Sequence, residues 1–310
     1  MSLSDHFSPK KTTCLFGLKD QFKFLNELII NNKFPNVLLL SGDKGVGKST
    51  LINHLLYSYF DKENYDLENC TLLKNSNFFS QYQDNLNPNV IYLNTFFSKS
   101  TKIEDIRVLK DHLLKKSITS NKRFIIFDDI EILNINSLNA LLKIIEEPPK
   151  NNYFVLVNNK SKPLLETLKS RCIEIKIILK EYERKDIILK LMNFFQQKTN
   201  LDHHLIRTSP GQFLKFNKIF NESNINFNEN FLDGFNILLN LYKKDKDIFY
   251  KDILLFFTDY YMEFSKKLSK DDKKIIENRT LIVKSINDFF LYNLSQNTLL
   301  NSIENKLSNE

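Results

Sequence analysis

The stretch Val37-Leu38-Leu39-Leu40-Ser41-Gly42-Asp43-Lys44-Gly45-Val46-Gly47-Lys48-Ser49-Thr50 decides how this chain is read. Val37 to Leu40 is a short unbroken apolar run, which suits a strand buried on both faces. After the glycines, Leu51, Ile52, Leu55, Leu56 and Tyr59 recur at helical spacing. Glycine lets the loop between them wrap so that backbone N–H groups point inward at phosphate oxygens. The helix behind it adds the partial positive charge of its N-terminus. GxxxxGK[ST] in a strand–loop–helix setting is a phosphate-binding loop. The expected nucleotide-binding residues are therefore Gly42, Asp43, Lys44, Gly45, Val46, Gly47, Lys48, Ser49 and Thr50. Lys48 would reach the β- and γ-phosphates and the Ser49 hydroxyl would ligate Mg²⁺.

Such a loop works with a second strand that ends in a carboxylate. Phe124-Ile125-Ile126-Phe127-Asp128-Asp129-Ile130-Glu131 supplies four apolar residues followed by acids. Asp128 is the expected Mg²⁺ partner. The next position is where a carboxylate would polarise an attacking water, and here it is Asp129, one methylene shorter than glutamate. Drawing a general base back by about 1 Å can lower a rate about a hundredfold. Asp129 is thus a weak candidate base.

Composition sharpens these motifs. The chain has 38 Asn and 38 Lys against 6 Arg, 6 Gly and a single Ala, Ala140, so a glycine or arginine here answers a physical need more often than usual. Three of the six glycines fall in the phosphate loop. At 310 residues, with 42% hydrophobic and 26% charged side chains, the chain has room for one large domain or two to three smaller ones and is not disordered or fibrous. No apolar run reaches the roughly 18 residues of a membrane span, and residues 1–14 carry no apolar secretory core, so a soluble cytoplasmic protein is expected. The net charge of +7 permits a nucleic-acid partner without singling one out. Cys14, Cys70 and Cys172 lie far apart, with neither a disulfide framework nor zinc-ligand spacing.

The segment after the acidic strand is the most distinctive. Leu138-Asn139-Ala140-Leu141-Leu142-Lys143-Ile144-Ile145-Glu146-Glu147-Pro148-Pro149 reads as a helix stopped by two prolines, with the lone alanine inside it. The apolar run Tyr153 to Val157 follows, then Asn158-Asn159, then Ser170-Arg171-Cys172 and the alternating Ile173, Ile175 and Ile177. This succession resembles the bacterial DNA polymerase III clamp-loader subunits, AAA+ proteins related to replication factor C, over residues 16–177. Asn87-Pro88-Asn89 before Val90 to Leu93, and Ile103-Glu104-Asp105-Ile106-Arg107, resemble further family segments. The resemblance implies an α/β AAA+ nucleotide-binding domain over residues 1–178, a helical lid over 179–220 and an all-α collar over 221–310.

It also implies a function. Clamp loaders are rings of five subunits that open a sliding clamp and place it on primer–template DNA, with ATP at the subunit boundaries. The partners would be gamma/tau and delta subunits, the clamp and the DNA, with no membrane, and the ligand ATP or ADP with Mg²⁺. Arg171 would act in trans as the finger of a neighbouring site; the alternative is that it pairs with a carboxylate such as Glu174 or Glu166. Cys172 reads as a small buried hydrophobe. Three departures from the motor (gamma/tau) pattern point to delta-prime: Asp129 for glutamate, Asn158-Asn159 for threonine, and Gln212 in Ser209-Pro210-Gly211-Gln212 where motor subunits carry arginine. The complete phosphate loop keeps an active gamma/tau-like motor as the alternative. Residues 61–87 offer only Cys70 to the zinc module that many family members carry, so no zinc is expected.

Beyond residue 178 the pattern is almost entirely helical: residues 180–198, with Ile187, Ile188, Leu191 and Phe194, suit a small lid ending near Gly211, the asparagine-rich segment 221–230 reads as a linker or helix–helix loop, and long periodic stretches run over 231–244, 247–268 and 271–307. Phe249, Phe256, Phe257, Tyr260 and Phe264 lie at core spacing.

Overall fold

The computed structural model describes residues 7–73, 76–94, 103–114, 122–205, 207–225, 230–266 and 272–308. The chain divides into two compact units, Met1–Leu191 with Ser209–Gln212, and Met192–Thr208 with Phe213–Glu310. In the first unit, α1 (Lys19–Ile30) precedes β1 (Val37–Ser41), the phosphate loop and α2 (Lys48–Phe60). A two-stranded hairpin (Tyr65–Asp66 with Thr71–Leu72) and α3 (Asn77–Gln83) lead to β2 (Val90–Asn94). Then come α4 (Ile103–Leu114), β3 (Arg123–Asp128), α5 (Ile135–Ile145), β4 (Asn152–Asn158), the short α6 (Glu166–Lys169), β5 (Ile173–Lys176) and α7 (Glu181–Phe194).

The five strands form one parallel sheet in the order β2-β3-β4-β1-β5. Each central strand is a continuous apolar run because alternate side chains feed two different cores. Leu38, Leu40, Phe124, Ile126, Val155 and Val157 pack with Phe22 and Leu25 of α1 and Leu51 and Leu55 of α2. Val37, Leu39, Ile125, Phe127, Phe154 and Leu156 pack with Ile106 and Leu109 of α4 and Leu138, Leu141 and Ile144 of α5. Ala140 lies against this second core as the sequence suggested. α5 starts on an Asn134 cap, whose Oδ1 accepts from the Ser137 amide at 2.8 Å, and ends three residues before Pro148. The register sets the C-terminal ends of the strands side by side, Ser41 opposite Asn158 and Asn94 opposite Asp128, and the site is built on that edge.

The second unit is helical. It holds most of α8 (Pro210–Glu222), then α9 (Phe231–Asp245), α10 (Phe249–Lys266), α11 (Asp272–Tyr292) and α12 (Gln296–Ser308). Phe256, Phe257 and Tyr260 are buried, and Phe216 and Phe231 pack on Phe256 and Phe257 with ring centroids 4.6 and 5.3 Å apart. The stripe expected of them is a core; Phe249 and Phe264 sit at its half-buried margin. The periodic stretch over 271–307 is two helices rather than one. Asn293 turns left-handed (φ 51°), the Leu294 amide returns to the Phe289 carbonyl, and the Ser295 hydroxyl caps the next helix through the Thr298 amide. Residues 226–229 of the asparagine-rich loop lie outside the described residues. No described helix is long and apolar enough to cross a membrane.

Candidate functional site

The phosphate loop leaves the sheet at Ser41, which is clamped from both sides. The Ile177 amide donates to its carbonyl (2.7 Å) and the Asn158 side chain donates to its hydroxyl (3.3 Å). Gly45 and Gly47 take φ of +85° and +102°, which a side chain would strain, and this turns the chain into α2. At Gly45 a Cβ would also stand 2.5 Å from Ser209 Oγ. The Ser209 hydroxyl donates to the Lys44 carbonyl (2.6 Å) and the Gly211 amide to the Gly45 carbonyl (2.9 Å). Gln212 Oε1 lies 3.1 Å from the same hydroxyl. The segment Ser209–Gln212 therefore braces the loop through its carbonyls.

Lys48 lies at the first turn of α2, 3% exposed, with its ammonium donating to the carbonyls of Gly42 (2.7 Å) and Asp43 (2.8 Å). Burial lowers its pKa to about 8, opposed by the carboxylates of Asp128, Glu131, Asp129 and Asp43. Ser49 Oγ donates to Asp128 Oδ2 at 3.1 Å, and the Tyr92 hydroxyl donates to the same oxygen at 2.6 Å. Hydroxyl and carboxylate thus converge from α2 and β3 on one point. Val46 is buried in the core beneath the loop, while Asp43 is exposed and pairs with Lys160 at 3.5 Å. Thr50 is half-buried on α2.

Past Asp128 the chain adopts a left-handed turn at Asp129 (φ 56°, ψ 50°), a conformation that aspartate tolerates better than most residues. Its carboxylate accepts from Asn159 Nδ2 at 2.5 Å. Burial, and then the neighbouring Asp128, raise the Asp129 pKa, opposed by that hydrogen bond and by Lys44 and Lys48. Glu131 is buried, and its Oε1 accepts from the amides of Asn159 and Ser161 and from the Ser161 hydroxyl, at 2.8–3.2 Å, while its Oε2 has no hydrogen-bond partner among the described residues. It shapes the loop after β4.

Arg171 follows α6. Its Nε and Nη2 donate to Glu146 Oε1 (2.8 and 2.7 Å) and its Nη1 to the Thr167 carbonyl (2.8 Å). An ion pair is present, but with neither Glu174 nor Glu166; Glu166 takes Lys169 at 2.7 Å. Cys172 packs against the second core with its thiol pushed up to about 11 by burial, which is a hydrophobe's setting. Arg171 does not join the cluster around Lys48 within this chain; no contact between them appears among the described residues. Sequence reasoning missed two partners, Tyr92 and Glu146. Tyr92 sits in the middle of β2, opposite Ile126, so no local signal in the sequence ties it to Asp128.

The donor set fits a magnesium nucleotide. Two glycines open the loop, an ammonium and a helix N-terminus supply positive charge, and a serine–aspartate pair meets at one point. A parallel sheet in the order β2-β3-β4-β1-β5, with the phosphate loop after β1 and the acidic pair after β3, defines an AAA+ domain of the P-loop class. The family model described as "DNA polymerase III, delta subunit" matches residues 17–180, over half of the chain, and the chain belongs to that family.

Among curated proteins, the chain is 27% identical over 204 residues to the DNA polymerase III subunit gamma of Buchnera aphidicola subsp. Schizaphis graminum, covering 63% of this chain and 54% of that one. It is 29% identical over 150 residues to the delta' subunit of Bacillus subtilis, covering 48% and 44%. The chain spans about half the length of these curated relatives. A solved DNA polymerase III, gamma subunit-related protein of Thermotoga maritima shares the fold, with TM-score 0.54 at 17% identity over 93% of this chain and 98% of that one.

Proposed function

We propose that this chain is a delta-prime-type subunit of a DNA polymerase III clamp loader, binding nucleotide without turning it over and lending Arg171 to a neighbour's ATP site. The observation that carries the reading is the bracing segment at the phosphate loop. Ser209–Gln212 brings a hydroxyl to the phosphate loop with the neutral Gln212 amide beside it, and the family resemblance puts an arginine of motor subunits at the position of Gln212. A cation there would stabilise the charge that grows on the phosphoryl group, and a glutamine withdraws that help. Asp129, already a methylene short, is further engaged by Asn159.

ATP with Mg²⁺ supplies the transferable phosphoryl group. On this chain, the loop from Gly42 to Thr50 and the α2 N-terminus would hold its phosphates, with Lys48 turning from the Gly42 and Asp43 carbonyls to phosphate oxygens. Ser49 and Asp128 would hold the metal. Arg171, exposed after α6, would present its guanidinium across a subunit boundary. Gamma/tau and delta subunits would be the partners, and the sliding clamp and primer–template DNA would be met through the ring.

The intact Ser49–Asp128 pair favours a second reading, an ATP-hydrolysing motor. One experiment separates the two: co-purify the chain with delta and gamma partners, then measure ATPase of the ring and of the isolated chain. The delta-prime reading expects a ring whose hydrolysis needs this chain but survives Lys48→Ala largely intact. Turnover by the isolated chain that Lys48→Ala abolishes would establish the motor instead.

A further inference from the structure

We propose that Asp202, His203 and His204, in the helical unit, form a binding site for a divalent transition-metal ion, with zinc the expected occupant. One ligand atom from each of the three side chains lies within 4.8 Å of the others. The two imidazole rings are 4.1 Å apart at centroids and tilted by 38°. Zinc bonds of about 2.0–2.2 Å in a tetrahedron set ligand atoms roughly 3.3 Å apart. Closing the site therefore takes side-chain adjustments of about an ångström or so, with no rebuilding of the chain.

The backbone beneath the ligands is already fixed. Asn217, 0% exposed, accepts from the amides of Asn200 (3.1 Å) and Leu201 (3.4 Å) and donates to the Lys198 carbonyl (2.8 Å). The Asp202 amide donates to the Tyr260 hydroxyl (2.8 Å), and the His204 amide donates to Asp202 Oδ1 (2.8 Å). Leu201 is buried, and the His203 ring meets Phe213 edge-on at 6.2 Å. A turn ordered before the ion arrives loses less entropy on binding than a floppy pair of histidines.

The chemistry of the ligands sets the class of ion. Two imidazoles and a carboxylate match zinc and its borderline neighbours, whereas calcium and magnesium ask for an all-oxygen shell. Three protein ligands leave a fourth position for water. This site uses no cysteine and lies far in sequence from Cys70.

The test is a calorimetric zinc titration of the full chain, prepared without a polyhistidine tag. Saturable binding of one equivalent is expected, weakened about tenfold or more by His203→Ala or His204→Ala and lost in the double variant. Cobalt provides a second readout: a ligand-field absorption band should form with the native chain and be absent with the double variant. His204 is exposed, so its single replacement leaves the fold intact and keeps the test valid if His203→Ala disturbs packing on Phe213. Failure of the native chain to saturate would overturn the proposal. So would undiminished binding in the double variant, which would place the ion at another histidine, His6 or His112.

Discussion

Replacing Arg171 with alanine separates two roles that its guanidinium can play, because their magnitudes differ by several kcal/mol. Within the chain it pairs with Glu146, the side chains being 36% and 47% exposed. A half-exposed ion pair contributes about 0–1 kcal/mol, and the bond to the Thr167 carbonyl adds about 1 kcal/mol. Arg171→Ala should therefore lower stability by no more than about 2 kcal/mol, a shift of several degrees in melting midpoint. A finger acting on a neighbour's phosphoryl transfer contributes a factor of about 10³–10⁵, or about 4–7 kcal/mol of barrier.

The assay is single-turnover hydrolysis in the ring that the proposed function expects, read at the boundary it would give this chain and a neighbour, since bulk turnover would fall only by that boundary's share. Glu146→Gln keeps the shape and removes the anion, leaving Arg171 its bond to Thr167. Its expected effect on hydrolysis is smaller than that of Arg171→Ala, and it should add nothing in the Arg171→Ala background, because it acts through the same guanidinium. Hydrolysis at that boundary within about twofold of native after Arg171→Ala, alongside the expected small loss of stability, would make the pair a structural contact and refute the trans reading.

Other outcomes follow from burial. Lys48→Met should abolish nucleotide binding while leaving the melting midpoint no lower than native, since it removes a charge that burial disfavours; calorimetry and thermal denaturation check it. His54 is 0% exposed beside the Tyr65 hydroxyl (2.9 Å), with its pKa pushed down from 6.5 to about 3 by burial. Between those two values the unfolded chain holds one more proton, so stability is full above pH 6.5 and falls as pH falls, by about 2 kcal/mol at pH 5. Urea midpoints at pH 7 and pH 5 should differ more for the native chain than for His54→Gln, and parallel shifts would exclude His54 as the cause. Gly234→Ala should destabilise the helical unit by about 1–3 kcal/mol in urea denaturation, because a Cβ there would stand 2.7 Å from Phe257 Cζ.

What the sequence displays is local, and locality explains where reading it succeeds. A phosphate loop is one run of 14 residues from Val37 to Thr50 in which strand, turn and helix each carry their own signal. The acidic end of β3 and the proline stop after α5 are equally self-contained. The periodic stretch over 271–307 does not show its break, because that break is one asparagine, Asn293, in a chain with 38 of them. Composition had diluted the signal that asparagine carries elsewhere.

Contacts between distant residues are different in kind. Tyr92 meets Asp128 across 36 positions, Glu146 meets Arg171 across 25, and Ser209 meets Lys44 across 165. No periodicity encodes such pairs; they follow from how strands, helices and loops are packed together. The β2-β3-β4-β1-β5 order puts Asn158 next to Ser41, and Asn159 is thereby brought to the carboxylate of Asp129. The sequence names the groups that can do chemistry, whereas the sheet order decides which of them restrain one another. At this site the restraint is the functional question: a candidate base tied to Asn159 and a guanidinium tied to Glu146 are both held by neutral or opposite partners that a second subunit or a nucleotide would have to outcompete.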